Sequence, residues 1–310
     1  MARRMTVLVT GASGYVAGQI LPDLRRRYAI RLVDVRTTDR RGRRVPGVEV
    51  VDLIHPDRDR YARFFRGADA VLHLGYRPPD IKTTGVWGAD PGALETFDAE
   101  LANVRMAQNV YRSALDAGVR RVVAASSNHA ADWYEHALVH AGRRDLVSPA
   151  DLPLSDNFYG WSKAAYELLG FVYASGSLGR KLEVVLLRIG APRDVSGRRY
   201  RGKLVEQHVA SGASGLANFK RDLGAWLSPG DLRQLVRRAI ETRDVRNADG
   251  VPWVVAYGIS SNTRAFWSLE SARRVLGYAP ADDSEVVYAK DVRRFLTGPR
   301  ARARGGRLGA

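Results

Sequence analysis

The sequence contains no cysteine. That absence excludes a disulfide-stapled scaffold, a thiolate zinc site, an iron–sulfur cluster and a cysteine nucleophile. Long apolar runs are missing as well. None approaches the roughly 18 residues that a membrane-spanning helix needs, so no membrane partner is expected. Met1-Ala2-Arg3-Arg4-Met5 leads straight into a strand-like run, which leaves no room for a secretory leader and makes the cytoplasm the expected compartment. Lysine is scarce: six of the 49 basic residues are Lys, against 33 acidic residues and a net charge of +16. The arginines are dispersed rather than interleaved with aromatics in one stripe. The charge therefore speaks for solubility and anion attraction, and no nucleic-acid partner is expected.

The 310 residues are 45 % hydrophobic, enough to bury a large core. Strand-like runs at Met5–Val9, Ile30–Val35, Val48–Val51, Ala70–Leu74, Arg121–Ala125 and Leu182–Ile189 alternate with helical patterns. The helices fall at Tyr15–Tyr28, Arg58–Phe65, Ala93–Ala117 and Tyr159–Ser175. This alternation predicts an α/β fold: a doubly wound parallel sheet with helices on both faces. Residues 1–190 read as one domain and residues 191–297 as a smaller substrate-binding lobe. Within the lobe, a helix at 228–243 opens on Ser228-Pro229-Gly230-Asp231, and a strand follows at 253–257; both are expected to pack back on the sheet. Ser268–Leu276 reads as a last helix, and residues 298–310 as a basic disordered tail.

The first strand runs into Thr10-Gly11-Ala12-Ser13-Gly14-Tyr15-Val16-Ala17-Gly18 and then a helix. Gly11 and Gly14 let the backbone turn tightly and approach a pyrophosphate, which the amides from Ser13 to Val16 would receive at the helix N-terminus. Asp34 ends the next strand, the placement of a carboxylate that holds an adenosine ribose diol. These features make residues 1–190 a Rossmann-type domain. Asp34 favours NAD, because it would repel a 2′-phosphate. Arg36, Arg40 and Arg41 could pair with one, so NADP is not excluded. Asp52-Leu53 is placed to bracket the adenine, and Leu74-Gly75-Tyr76 to run beneath the nicotinamide ribose.

The strand at Arg121–Ala125 ends in Ser126-Ser127-Asn128-His129, and Tyr159-Gly160-Trp161-Ser162-Lys163 follows about thirty residues later. The i, i+4 spacing puts the Tyr159 phenol and the Lys163 ammonium on one helix face. A fixed cation stabilises a phenolate, so Tyr159 could act as general base on a carbinol while Ser127 hydrogen-bonds the same oxygen. No residue pattern asks for a metal.

Together, Thr10-Gly11-x-x-Gly14-x-x-Ala17, His73-Leu74-Gly75, Asn103, Ser126-Ser127 and Tyr159-x-x-x-Lys163 resemble the extended short-chain dehydrogenase/reductases of the NAD-dependent epimerase/dehydratase superfamily. The resemblance implies that Tyr159 is the acid/base and that Lys163 lowers its pKa and holds the nicotinamide ribose. It also implies that Asn103 belongs to the cofactor-side motif set, that Ile189 sits near the carboxamide, and that a homodimer pairs through the two long helices. Ser126-Ser127-Asn128-His129, Leu187-Arg188-Ile189-Gly190 and Trp226-Leu227-Ser228-Pro229-Gly230-Asp231 are most similar to uronate dehydrogenases. On that likeness Asn128 and His129 contact sugar hydroxyls, and Arg201 or Arg193 takes a substrate carboxylate in a bidentate fork.

Departures from that pattern lie at Arg77–Asp98, at the stretch from His129 to Asp156, at Gly190–Leu227 and at Ala191. Three readings stay open. The first is an NAD-dependent oxidoreductase acting on a sugar or sugar acid. The second is a nucleotide-sugar epimerase that keeps its NAD. The third is a non-catalytic dinucleotide-binding protein. Dehydration is disfavoured, because Asn128-His129 and not an acidic pair follows Ser127.

Overall fold

The computed structural model describes residues 3–80, 91–200 and 215–297. Its strands are β1 (Thr6–Thr10), β2 (Ala29–Asp34), β3 (Val48–Val50), β4 (Ala70–His73), β5 (Arg121–Ser127), β6 (Glu183–Ile189) and β7 (Trp253–Gly258). They form one sheet in the order β3-β2-β1-β4-β5-β6-β7. Every neighbouring pair is parallel. The order reverses between β1 and β4, and a crevice opens at the carboxyl ends of strands at such a switch point.

The helices bearing on the site are α1 (Tyr15–Arg27), α2 (Asp59–Phe65), α3 (Phe97–Asp116), the single turn α4 (Asp132–Tyr134), α5 (Phe158–Ser175), α6 (Gly215–Ala225), α7 (Pro229–Glu241) and α8 (Glu270–Leu276). The pleat sorts successive strand residues onto two cores. Val7, Val9, Leu72, Val123, Val185 and Ala256 face Ile20 and Leu24 of α1, Leu232 and Leu235 of α7, and Leu276 of α8. Leu8, Val71, Val122, Ala124, Val184 and Val255 face Phe64 and Phe65 of α2, Val110 and Tyr111 of α3, and Tyr166 and Tyr173 of α5. Each large apolar side chain so buried is worth about 1.5–3 kcal/mol. A third, small cluster joins Val195, Tyr200, Phe219, Leu223, Trp226 and Val292 outside the sheet.

Local chemistry sets the boundaries. The helix expected from Ala93 begins at Phe97, after a 3₁₀ run at Pro91–Thr96. There the Thr96 hydroxyl bonds back to the Ala93 carbonyl (2.8 Å), a local bond that competes with the α-helical ladder. The helix expected from Ser268 begins at Glu270, whose N–H is taken by the Ser268 hydroxyl (3.2 Å). Ser228 caps α7 as its sequence suggests, accepting from Asp231 N (3.0 Å). Arg201 and the tail at 298–310 lie outside the described residues. Among the described residues no helix is long and apolar enough to cross a membrane.

Among the described residues, one ion pair lies wholly inside. Arg188 on β6 and Glu167 on α5 are each 1 % exposed. Arg188 Nη2 meets Glu167 Oε2 at 2.7 Å, and Nη1 donates to the Tyr257 hydroxyl at 3.1 Å. Removing one member of such a pair strands the other charge in a low-dielectric interior. Glu167→Met is expected to cost about 3–5 kcal/mol in urea unfolding. The double variant Glu167→Met/Arg188→Met should recover most of that loss; a single variant as stable as the parent would contradict the argument.

Candidate functional site

The site assembles where β1, β4, β5 and β6 end. Gly11 leaves β1 at φ +67°, and a Cβ there would lie 2.6 Å from Gly75 N and Leu74 C, so only glycine fits. The loop closes through Gly14 N to Gly11 O (3.0 Å), and Gly18 N bonds Gly14 O (3.1 Å). Gly14 caps α1 with no side-chain hydrogen bond, which leaves the first-turn amides of Tyr15 and Val16 to a ligand. Asp34, ending β2, accepts from Ser13 N at 2.9 Å, and the Ser13 hydroxyl donates to Arg36 O at 2.7 Å. A glycine cradle, uncapped helix amides and a carboxylate at the next strand end fit a dinucleotide.

Flanking residues sort into those that line this cradle and those that build it. Tyr15 is exposed, with the Arg40 guanidinium over its ring at 5.7 Å. Asp52 is exposed and accepts from Ile54 N (2.9 Å), whereas Leu53 is buried and its carbonyl takes the Asn109 amide (2.8 Å). Asn103 is buried in α3. Its amide holds both Arg77 N (2.8 Å) and Arg77 O (2.9 Å), so it braces the loop after β4. Leu74 N bonds Thr10 O (3.1 Å), which fixes that loop against β1.

Tyr159 and Lys163 share the first turns of α5, which Asn157 caps by accepting from Gly160 N at 2.9 Å. Ser127, ending β5, hydrogen-bonds the Tyr159 phenol and accepts from His129 N (3.2 Å). Burial pushes the phenol above its ordinary value, the Ser127 bond works against that, and the nearby Glu100 and Asp132 charges add to it. Lys163 Nζ donates to Ala125 O (3.3 Å) and stands over the rings of Tyr76, Tyr159 and Tyr166 at 5.0, 5.6 and 4.9 Å. Burial brings its pKa down to about 8, against the pull of Glu100 and Glu167. Tyr76 meets the Tyr159 ring edge-on at 5.3 Å.

The substrate side departs most from expectation. With its amide turned to match donors with acceptors, buried Asn128 donates to Ile189 O (3.1 Å) and accepts from Arg221 (2.5 Å). The register that sets Ile189 beside Ser127 makes this contact possible. Arg193 is tied to Asp222 at 2.9 Å, and Asp222 also takes the Tyr200 hydroxyl at 2.8 Å. His129 bonds Asp132 through Nδ1 at 2.8 Å.

Four residues that the sequence did not single out belong to this region. Arg221 of α6 pairs bidentately with Glu135 (2.8 and 3.1 Å) and lies over the Trp267 ring at 5.4 Å. Glu100, buried in α3, collects the hydroxyls of Tyr76 (2.6 Å) and Ser162 (2.7 Å) and the Asn103 amide (3.3 Å). Asp132 is fully buried beside His129. No spacing rule joins any of them to Tyr159, since each depends on elements far apart in the chain.

The model of the NAD dependent epimerase/dehydratase family matches residues 7–217. The chain belongs to this family. It is 32 % identical to an L-arabinose 1-dehydrogenase (NAD(P)(+)) of Haloferax volcanii, over 91 % of this chain and 98 % of that protein. It is 31 % identical to a uronate dehydrogenase of Pseudomonas syringae pv. tomato, over 92 % of this chain and 84 % of that one. Among solved structures, a mutated uronate dehydrogenase superposes with a TM-score of 0.66 at 25 % identity, covering 99 % of this chain and 94 % of that chain.

His73, behind the Gly11 cradle, bonds Thr10 Oγ1 through Nδ1 at 2.7 Å. Burial, aided by the Lys163 charge, depresses its pKa from 6.5 to about 3. Between those values the unfolded chain binds a proton that the folded one refuses, so stability rises with pH and is lost as pH falls through the window. The slope from this one group is up to about 1.4 kcal/mol per pH unit. His73→Gln should flatten the acid side of the stability curve measured by denaturant unfolding between pH 6.5 and 4. Parallel curves for the two proteins would refute the assignment.

Proposed function

We propose that this protein is an NAD-dependent dehydrogenase that oxidises a carbinol of a sugar or sugar acid. The observation that carries the reading is the meeting of Ser127, Tyr159 and Lys163 at the end of β5, next to the Gly11 cradle. Bound nicotinamide supplies the hydride acceptor. The chain's own residues do the rest. Tyr159, once ionised to the phenolate, takes the carbinol proton and becomes the phenol again; Ser127 holds the same oxygen against drift, and Lys163 reaches the ribose and sets a positive field that favours the phenolate against burial. Asp34, at the end of β2 beside Ser13, supports NAD over NADP, since its carboxylate would repel a 2′-phosphate.

Kinship with both an aldose and a uronate dehydrogenase leaves the sugar's far end open. Glu100 and Asp132 both raise the pKa of the Tyr159 phenol, and the Lys163 ammonium stands 5.6 Å from the centroid of its ring. We also infer a homodimer through α3 and α5, on which Leu101, Leu168 and Val172 are exposed. Leu168→Asp/Val172→Asp should halve the mass found by sedimentation; an unchanged mass would remove that face from consideration.

The decisive experiment incubates purified protein and NAD, with NADP in parallel, with L-arabinose, D-glucuronate, D-galacturonate and UDP-glucose. Stoichiometric NADH from a free sugar supports the reading. Interconversion of nucleotide sugars without NADH would replace it with epimerisation. Tyr159→Phe should lower kcat by about 10²–10⁴ while NAD still binds; full turnover would exclude Tyr159 as the base.

A further inference from the structure

Glu100 on α3 is 1 % exposed, and both of its oxygens are engaged. Oε1 accepts from the Tyr76 hydroxyl at 2.6 Å; Oε2 accepts from the Ser162 hydroxyl at 2.7 Å and the Asn103 amide at 3.3 Å. All three donors are neutral groups, which hold a carboxylate without cancelling its field. Each belongs to a different part of the site. Tyr76 lies in the loop after β4, Asn103 braces Arg77 of that loop, and Ser162 stands on α5 between Tyr159 and Lys163. The Ser162 hydroxyl is also 2.8 Å from the Tyr159 carbonyl oxygen. One carboxylate therefore ties the β4 loop to the turn of α5 that carries the phenol and the ammonium.

Tethered at its hydroxyl, the Tyr76 ring completes a triangle with that pair. Lys163 Nζ is 5.0 Å from the centroid of the Tyr76 ring and 5.6 Å from that of Tyr159, and the two rings meet edge-on at 5.3 Å. An ammonium over a ring face is attracted by the ring's quadrupole, more strongly where water is excluded, and Lys163 is 4 % exposed. Its hydrogen bond to Ala125 O is long, at 3.3 Å, so the rings take a large part in placing this flexible side chain.

Titratable groups face the Tyr159–Lys163 pair from every element packed around it: His73 from β4, Tyr76 after it, Glu100 from α3, His129 after β5, Asp132 from α4, and Tyr166 and Glu167 from α5. Asp132 acts on the phenol and Glu167 on the ammonium, whereas Glu100 acts on both. Its charge supports the Lys163 ammonium against burial and adds to burial at the Tyr159 phenol.

We propose that Glu100 is a positioning residue for the Tyr159–Lys163 pair: through the Tyr76 hydroxyl it fixes an aromatic seat for the ammonium, and its charge bears on both members at once. Removing that charge lets the phenol ionise at lower pH and strips the ammonium at lower pH. The range in which a phenolate stands beside an ammonium then moves down as a block. The inference rests on the dehydrogenase reading for its kinetic consequence, while the seat and the titrations belong to the free protein.

The test has two arms. In the first, full-length protein labelled with ¹³Cε-lysine is followed by NMR without substrate, and Lys163→Arg identifies the signal among six lysines. In Glu100→Gln, whose amide oxygen still accepts from Tyr76, Lys163 should lose its proton at lower pH than in wild type; an equal or higher midpoint overturns the charge role. The order parameter of Lys163 Cε should fall in Tyr76→Leu, which lacks the ring, and fall less in Tyr76→Phe, which lacks only the tether. A value unchanged in Tyr76→Leu overturns the seat, and one unchanged in Tyr76→Phe overturns the tether. In the second arm, kcat/KM for the fastest sugar of the panel is measured against pH, since it reports the acid and base of the free enzyme. Glu100→Gln should raise it about tenfold on the acid side and lower it on the alkaline side. A uniform loss at every pH is the mark of a purely structural residue and would refute the proposal. Absence of turnover with every sugar would defeat the dehydrogenase reading, while the NMR arm still decides this one.

Discussion

The backbone of Gly11 presses against Leu74 and Gly75, and the chemistry of this protein is arranged around that contact. A parallel sheet whose order reverses between β1 and β4 leaves the ends of those strands side by side. At φ +67° the loop turns away from the sheet with nothing but hydrogen atoms between the two backbones. The turn presents the amides of α1, sets Asp34 on Ser13, and brings the Leu74–Tyr76 run beside Tyr159. Asn103 then holds the far side of that run by both polar groups of Arg77, so the cradle is built from backbone and braced by one buried amide.

The same contact explains what could be read in advance. Gly11, Gly14 and Asp34 act through local geometry, so their spacing in the chain is their signature. Tyr159 and Lys163 are one helical turn apart and share a face for the same reason. Boundaries were less legible at Phe97 and Glu270, where a Thr96 or Ser268 hydroxyl bonds to backbone and rearranges the first turn. The substrate side was least legible. Arg193 looked like a carboxylate fork, yet its partner Asp222 lies 29 residues away and already occupies it. Asn128 looked like a sugar contact, yet Arg221 and Ile189 take its amide. Arg221 itself had no motif to reveal it. Which of several arginines meets which carboxylate is decided by long-range packing, and a chain this rich in arginine offers many equivalent candidates.

Buried charge around the site is matched group by group. Glu167 has Arg188, and Glu135 has Arg221 together with His140. Glu100 is held instead by neutral donors, two hydroxyls and an amide, and Asp132 accepts from a hydroxyl, an amide and the His129 ring. Neutral donors stabilise a carboxylate without cancelling its field. The field of both therefore reaches Tyr159, and it acts in the same direction as burial.

This distribution turns the net charge of +16 into a statement about recognition. Excess arginine surrounds the protein, but Arg188, Arg193 and Arg221 are each committed to a carboxylate of the chain. Lys163 is the cation left beside Tyr159, and its neighbours are three aromatic rings and a carbonyl. Discrimination there falls to hydrogen-bond geometry: each buried polar group of the site that a ligand leaves unpaired costs about 1–3 kcal/mol.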